Sequence, residues 1–195
     1  MAKSRDNVVM QGASGRIGKT LVFRQKGDQT IIARTGKKRA DGKPYTEKQL
    51  KVQNRFLDAS LYAKKAILDK PLKALYEAKA NINQTAYNVA FKDYFTAPTV
   101  RRLDDRNYFG EIGDVIKLMI KDVLKVTQVT IDIVDSSDTL IETGVATALD
   151  EGGIEWEYIV KADNLDYENT RYRISMVDTP ENTTVVLVEY GQGMI

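Results

Sequence analysis

Three stretches of this chain alternate apolar and polar residues with a period of two, and that spacing restricts what the second half can become. Val129, Ile131 and Ile133 alternate with Thr130 and Asp132; Ile154, Trp156, Tyr158 and Val160 with Glu155 and Glu157; Tyr172, Ile174 and Met176 with Arg173 and Ser175. Successive side chains of an extended strand leave on opposite faces, so each stretch reads as a strand with one covered and one wet face. Residues 115–120, 140–146 and 183–190 bring the number to six or seven strands. Turn residues at Asp135-Ser-Ser-Asp138, Asp150-Glu-Gly-Gly153 and Thr179-Pro-Glu-Asn182 separate them, which predicts an antiparallel sandwich of about 80 residues. The new period is expected to begin after Gly113.

Upstream the spacing is helical. Thr46-Glu-Lys-Gln49 is a capping box, in which the threonine hydroxyl takes an orphan backbone N–H and the glutamine reaches back. Val52, Phe56, Ala59, Ala63 and Ala66 follow at spacings of four and three, and Leu50, Leu57, Leu61 and Leu68 widen the apolar stripe. A helix so apolar is expected to be covered on more than one side. Pro71 suits the first turn of a second helix, Leu72 to Lys79, because its missing N–H would be an orphan there. A third helix is expected from Gln84 to Tyr94, and Ala97-Pro98 ends the helical pattern.

The first 45 residues read as short β-prone runs and glycine turns. Thr20-Leu-Val-Phe23 and Thr30-Ile-Ile-Ala33 flank Lys26-Gly27-Asp28, the pattern of a hairpin. The cation-rich run from Thr35 to Pro44 has almost nothing to bury and is expected to be an exposed arm.

Charge follows the same divisions. Residues 1–52 carry 13 Lys or Arg against 4 Asp or Glu, residues 53–98 carry 7 against 4, and residues 99–195 carry 9 against 19. The near-neutral net charge of +2 thus conceals a basic front and an acidic back. Such fields steer association with charged partners. With no cysteine there is no disulfide, thiolate metal site or cysteine nucleophile, and with no histidine the commonest general base is missing. No signal peptide is evident and no run approaches the length of a membrane span, so no membrane partner is expected.

Gly12-x-x-Gly15-x-x-Gly18 after Val8-Val-Met10 looks like a dinucleotide fingerprint, and Gly18-Lys19-Thr20 like the end of a phosphate-binding loop. Both need a following helix and parallel strands, whereas a β-branched and aromatic run and a glycine turn follow. Tight turns in a β segment are the preferred reading, and no cofactor is expected. Asp132, Asp135 and Asp138 have the composition of a calcium loop without its glycine spacing; they are read as solvated, with no metal site assigned. Trp156 is assigned to the core.

The candidate binding residues are Arg16, Lys19, Arg24, Lys26, Arg34, Lys37, Lys38, Arg39 and Lys43, able to meet an acidic protein surface or the phosphates of DNA. Only Phe23 and Tyr45 lie among them, which does not suggest a base-stacking platform.

Gly15-Arg-Ile-Gly18, Val22-Phe-Arg-Gln-Lys-Gly27, Thr30-Ile-Ile-Ala-Arg34, Thr46-Glu-Lys-Gln49 and Arg55-Phe56 resemble small proteins of Bacteroidetes bacteria and their tailed phages, the crAss-like phages included. Tyr108-Phe-Gly-Glu-Ile-Gly-Asp114, Val126-Thr-Gln-Val-Thr-Ile-Asp-Ile133, Ile141-Glu-Thr-Gly-Val-Ala146 and Trp156-Glu-Tyr158 are similar to immunoglobulin-like modules attached to such proteins. The resemblance implies a virion or assembly component and supplies no catalytic residues. The expected architecture is α+β: a basic glycine-rich β-hairpin arm over 1–45, a short helical segment over 46–97, and a C-terminal antiparallel immunoglobulin-like β-sandwich over 98–195.

The expected function is non-enzymatic: an auxiliary capsid protein that decorates or cements the phage head, made in the host cytoplasm and present in multiple copies in the virion. Its basic arm would dock on the major capsid protein or other virion subunits. A head-to-tail connector or tail component, and a DNA-binding protein packaged with the genome, are the alternatives.

Overall fold

The computed structural model describes residues 2–4, 7–36 and 44–193. The fold is α+β, and the described residues form three α-helices and three antiparallel sheets. It divides into two compact units, Met1–Asn54 with Asn81–Asn83, and Arg55–Ala80 with Gln84–Ile195.

The first unit holds a four-stranded sheet of β1 (Ala2–Ser4), β2 (Gly15–Ile17), β3 (Leu21–Lys26) and β4 (Gln29–Arg34), in the order β1-β4-β3-β2. The expected hairpin is β3–β4, closed by Gly27-Asp28 in register from Leu21↔Arg34 to Lys26↔Gln29. Gly27 has φ +59°, and a Cβ there would overlap the Asn83 side chain, whose Nδ2 donates to Asp28 Oδ1 at 3.1 Å. Glycine meets both demands at once. The segment from Asn7 to Ser14 crosses one face of the sheet, where Thr30 Oγ1 donates to Met10 O and Gln25 Nε2 to Ala13 O, both at 2.8 Å.

Helix α1 (Glu47–Ala66) starts at the expected capping box: Thr46 Oγ1 accepts from Gln49 N at 3.3 Å and Thr46 N donates to Gln49 Oε1 at 3.2 Å. Coverage of α1 on more than one side is not what the fold provides. Only Ala59, Ala63 and Ala66 of this helix are buried, whereas Leu50, Val52, Phe56, Leu57 and Leu61 are exposed. Three small alanines admit a close neighbour on one face, and the leucines opposite are exposed.

In the second unit, α2 (Lys70–Ala78) is capped by Asp69 and carries Pro71 in its first turn. Helix α3 (Ala86–Phe95) is capped by Thr85, whose Oγ1 accepts from Asn88 N at 3.4 Å. The sandwich follows as two four-stranded sheets. One is β5 (Thr99–Asn107), β6 (Val115–Lys121), β10 (Glu155–Ile159) and β9 (Thr147–Ala148), in the order β5-β6-β10-β9. The other is β12 (Thr183–Glu189), β11 (Arg171–Asp178), β7 (Val126–Val134) and β8 (Leu140–Val145), in the order β12-β11-β7-β8.

Strand β5 precedes Gly113 and thus departs from the expected onset of strands. Register shifts at Val100/Arg102 and Asp104/Asn107 break its alternation, and buried Val100, Leu103 and Asp105 fall at uneven spacing. Inward residues of both sheets form one core that includes Ile116, Leu118, Ile131, Ile133, Trp156, Tyr158, Tyr172 and Ile174. Trp156 is in that core as expected, and its Nε1 donates to Gly153 O at 3.0 Å.

Helices and sandwich of this unit meet at a polar junction. Tyr76, Ala63, Ala66, Val89 and Ala90 pack with Leu124 from the loop after β6. Asn182 donates from Nδ2 to Asp178 Oδ2 at 2.8 Å and to Asp93 O at 3.4 Å, tying β11 to the end of α3.

Candidate interaction face

Pairing across the N-terminal sheet decides which of the sequence-predicted cations act together. Arg16 pairs with Val22, Arg24 with Ile31, Lys26 with Gln29, and Ile31 in turn with Lys3 of β1. Residues paired across antiparallel strands share a face, and residues two apart on a strand share it too. Lys3, Arg16, Arg24 and Lys26 therefore project from one face, interleaved with Val22, Gln29, Ile31 and Ala33. The strands put no carboxylate on it.

All four cations are exposed, and among the described residues none of them forms an ion pair. The Arg16 guanidinium donates to Gly18 O at 3.0 Å and Lys19 O at 3.3 Å, which holds it across the β2–β3 turn. Four unpaired cations in one plane attract an anionic surface without the desolvation cost of a buried ion pair.

The other predicted residues distribute differently. Lys19 sits in the β2–β3 turn, and Arg34 pairs with Leu21 on the opposite face, so neither belongs to the four-cation set. Lys37, Lys38, Arg39 and Lys43 lie outside the described residues. Lys3 was absent from the sequence prediction, because Ala2-Lys3-Ser4 is too short to show a period. Only its register against Thr30–Ile32 of β4 reveals its face.

The glycine run that resembles a nucleotide cradle lies in this sheet as well. Gly12, Gly15 and Gly18 have φ of +78°, +110° and +59°, and a Cβ at any of them would meet open space. Backbone conformation, not close approach, selects glycine here. Gly18 leads into β3 of an antiparallel sheet, where a dinucleotide or phosphate loop would open a helix.

On the sandwich, the three aspartates weighed for calcium have separate protein partners. Asp135 Oδ1 accepts from Ser137 N at 2.8 Å and Thr139 N at 2.9 Å, and these backbone bonds hold its carboxyl below the usual range. Asp138 pairs with Arg171 at 3.0 Å, and Asp132 Oδ1 accepts from Thr143 Oγ1 at 2.6 Å. Among the described residues no group of three carboxylates is placed to hold a metal ion.

Sequence reasoning did not single out the buried carboxylates at the helix–sandwich junction. Tyr76 Oη donates to Asp93 Oδ2 at 2.6 Å and Tyr62 shares a 2.6 Å hydrogen bond with Tyr76, while Asp93 Oδ1 and both Asp122 oxygens are buried without a side-chain or ion-pair partner. Burial, reinforced by the neighbouring charges of Asp122 and Asp178, pushes Asp93 up to about 7. Burial likewise pushes Asp178 up to about 6 and raises Asp122. Asp93 and Asp178 are closed off from solvent, at 0% and 1% exposure, and Asp122 is part-buried.

No family model matches the chain, and no curated protein matches it. Among solved structures it is similar to CopC from Methylosinus trichosporium OB3b, with 14% identity over 47% of this chain and 88% of that one, at a TM-score of 0.36. It is also similar to an engineered protein, with 11% identity over 60% of this chain and 30% of that one, at a TM-score of 0.32.

Proposed function

We propose that this protein is a non-enzymatic assembly component of a tailed-phage virion, an auxiliary capsid protein that docks through its basic N-terminal sheet. One observation carries the reading: Lys3, Arg16, Arg24 and Lys26 are all exposed and share a face with no carboxylate among its strand residues. A sheet of this size, in which Phe23 is the one buried apolar side chain among the described residues, gains from a partner that covers more of it. The sandwich then supplies the independent, folded mass that a decorating subunit presents. On a lattice of repeated acidic sites, many weak contacts of this kind add up by multivalency.

The same four cations also suit the phosphates of duplex DNA, which makes a genome-packaged protein the second reading. Quantitative mass spectrometry of purified particles, empty beside full, separates the two. A shell or connector component is present in both at equal copy number. Presence in full particles alone favours the DNA reading, and absence from both removes the virion role.

A further inference from the structure

Helix α1 buries alanines on one side and exposes leucines on the other. Leu50, Leu57, Leu61 and Leu68 are 44%, 57%, 55% and 82% exposed, and Leu68 lies two residues past the end of α1, in a turn closed by Leu68 N→Lys65 O at 3.1 Å. Their spacings of seven, four and seven follow a heptad seam, which two helices share by seating side chains of one between those of the other. Asn54 and Lys64 occupy the two polar positions of this seam, and both are exposed.

The seam reads the same in both directions. Reversed about position 59, Leu50 falls on Leu68, Leu57 on Leu61, and Asn54 on Lys64. A two-fold axis between antiparallel copies therefore sets leucine against leucine and lets the Asn54 side-chain carbonyl accept from the partner ammonium. Parallel pairing in register would instead place Lys64 against its own copy, two like charges in a closing interface. The leucines offer roughly 400 Å² per copy, and with the flanking Gln53, Ser60 and lysine stems the pair reaches the ~1,200 Å² that specific association needs.

We propose that the exposed leucine seam of α1 is a homodimer interface, occupied by the same helix of a second copy running antiparallel. The proposal is independent of the docking role of the N-terminal sheet, since it involves none of Lys3, Arg16, Arg24 or Lys26. It makes the docking unit a pair, with one basic face in each copy.

Light scattering after size exclusion of the full chain, at rising concentration, tests the interface. The wild type is expected to run as a dimer. The double variant L57E/L61E, with both sites solvent-facing, is expected to dissociate at least a hundredfold more readily with unchanged circular dichroism. N54L/K64L is expected to tighten the dimer, and Leu187→Glu on the exposed face of β12 to leave it intact. The cysteine-free chain permits a direct reading of orientation. Leu50 lies near the start of α1 and Leu68 just past its end, about 27 Å apart at the helical rise, so a mixture of L50C and L68C should cross-link between copies while L50C alone does not. A monomer at every concentration, a dimer that survives L57E/L61E, or cross-linking of L50C to itself would each overturn the proposal.

Discussion

Tyr76 Oη donates to Asp93 Oδ2 at 2.6 Å inside the second unit, where both residues are fully buried. That hydrogen bond favours the charged carboxylate, yet burial and the charges of Asp122 and Asp178 outweigh it, and Asp93 is pushed up to about 7. The fold thus holds a proton at this junction that the unfolded chain would have released.

Stability should therefore fall as pH rises. For an acid raised from 3.8 to about 7, the contribution of the bound proton is complete below 3.8 and lost as pH climbs through about 7. Asp178, raised to about 6, acts in the same direction over a narrower window. Chemical denaturation is expected to show a loss on the order of 2–4 kcal/mol between pH 4 and pH 8 from the two groups together. A flat profile would show that the cluster is solvated.

Asp93→Asn keeps the shape and removes the titration. The amide oxygen still accepts from Tyr76, so the variant is expected to match wild type near pH 5 and to exceed it at pH 8 by about 1–2 kcal/mol. Melting temperatures at the two pH values measure this.

Tyr76→Phe leaves Asp93 Oδ2 buried without its hydroxyl donor and Tyr62 without its 2.6 Å partner. A loss of about 1–3 kcal/mol is expected, larger at pH 8 than at pH 5, because the uncompensated group is then a charge. Denaturant midpoints of the variant across that range report it.

Gly110→Ala is expected to destabilise the sandwich by about 1–3 kcal/mol. Gly110 has φ +79°, and a Cβ there would overlap the carbonyl oxygen of Asn164, whose N–H donates back to Gly110 O at 2.8 Å. Neither backbone segment can yield without losing that bond. Gly12→Ala, with open space around its Cβ, is expected to cost less.

What the sequence made legible were the features written in local spacing. The period-two runs at Val129–Ile133 and Tyr172–Met176 became β7 and β11, the Gly27 turn became a hairpin, and the Thr46–Gln49 capping box opened α1. Strand β5 was hidden because its two register shifts erase alternation. The stripe on α1 was visible, but its covering was not: spacing reports which residues are apolar together, and only packing shows that the alanines face the fold and the leucines face water. For the candidate face, the cations could be picked out as a group. Their division into Arg16, Arg24 and Lys26 on one face and Arg34 on the other depends on strand register, and Lys3 joined them only through a pairing nearly thirty residues away. The Asp93 cluster draws on α2, α3, β11 and the loop after β6, so no local pattern announces it.

The proposed docking role of the four-cation face is open to a direct test on purified particles. The triple reversal R16E/R24E/K26E changes only exposed side chains and should leave the circular dichroism spectrum and melting of the sandwich unchanged. Its copy number per purified particle, measured against wild type by quantitative mass spectrometry, is predicted to drop at least tenfold. Incorporation of the reversed variant at wild-type copy number would contradict the account.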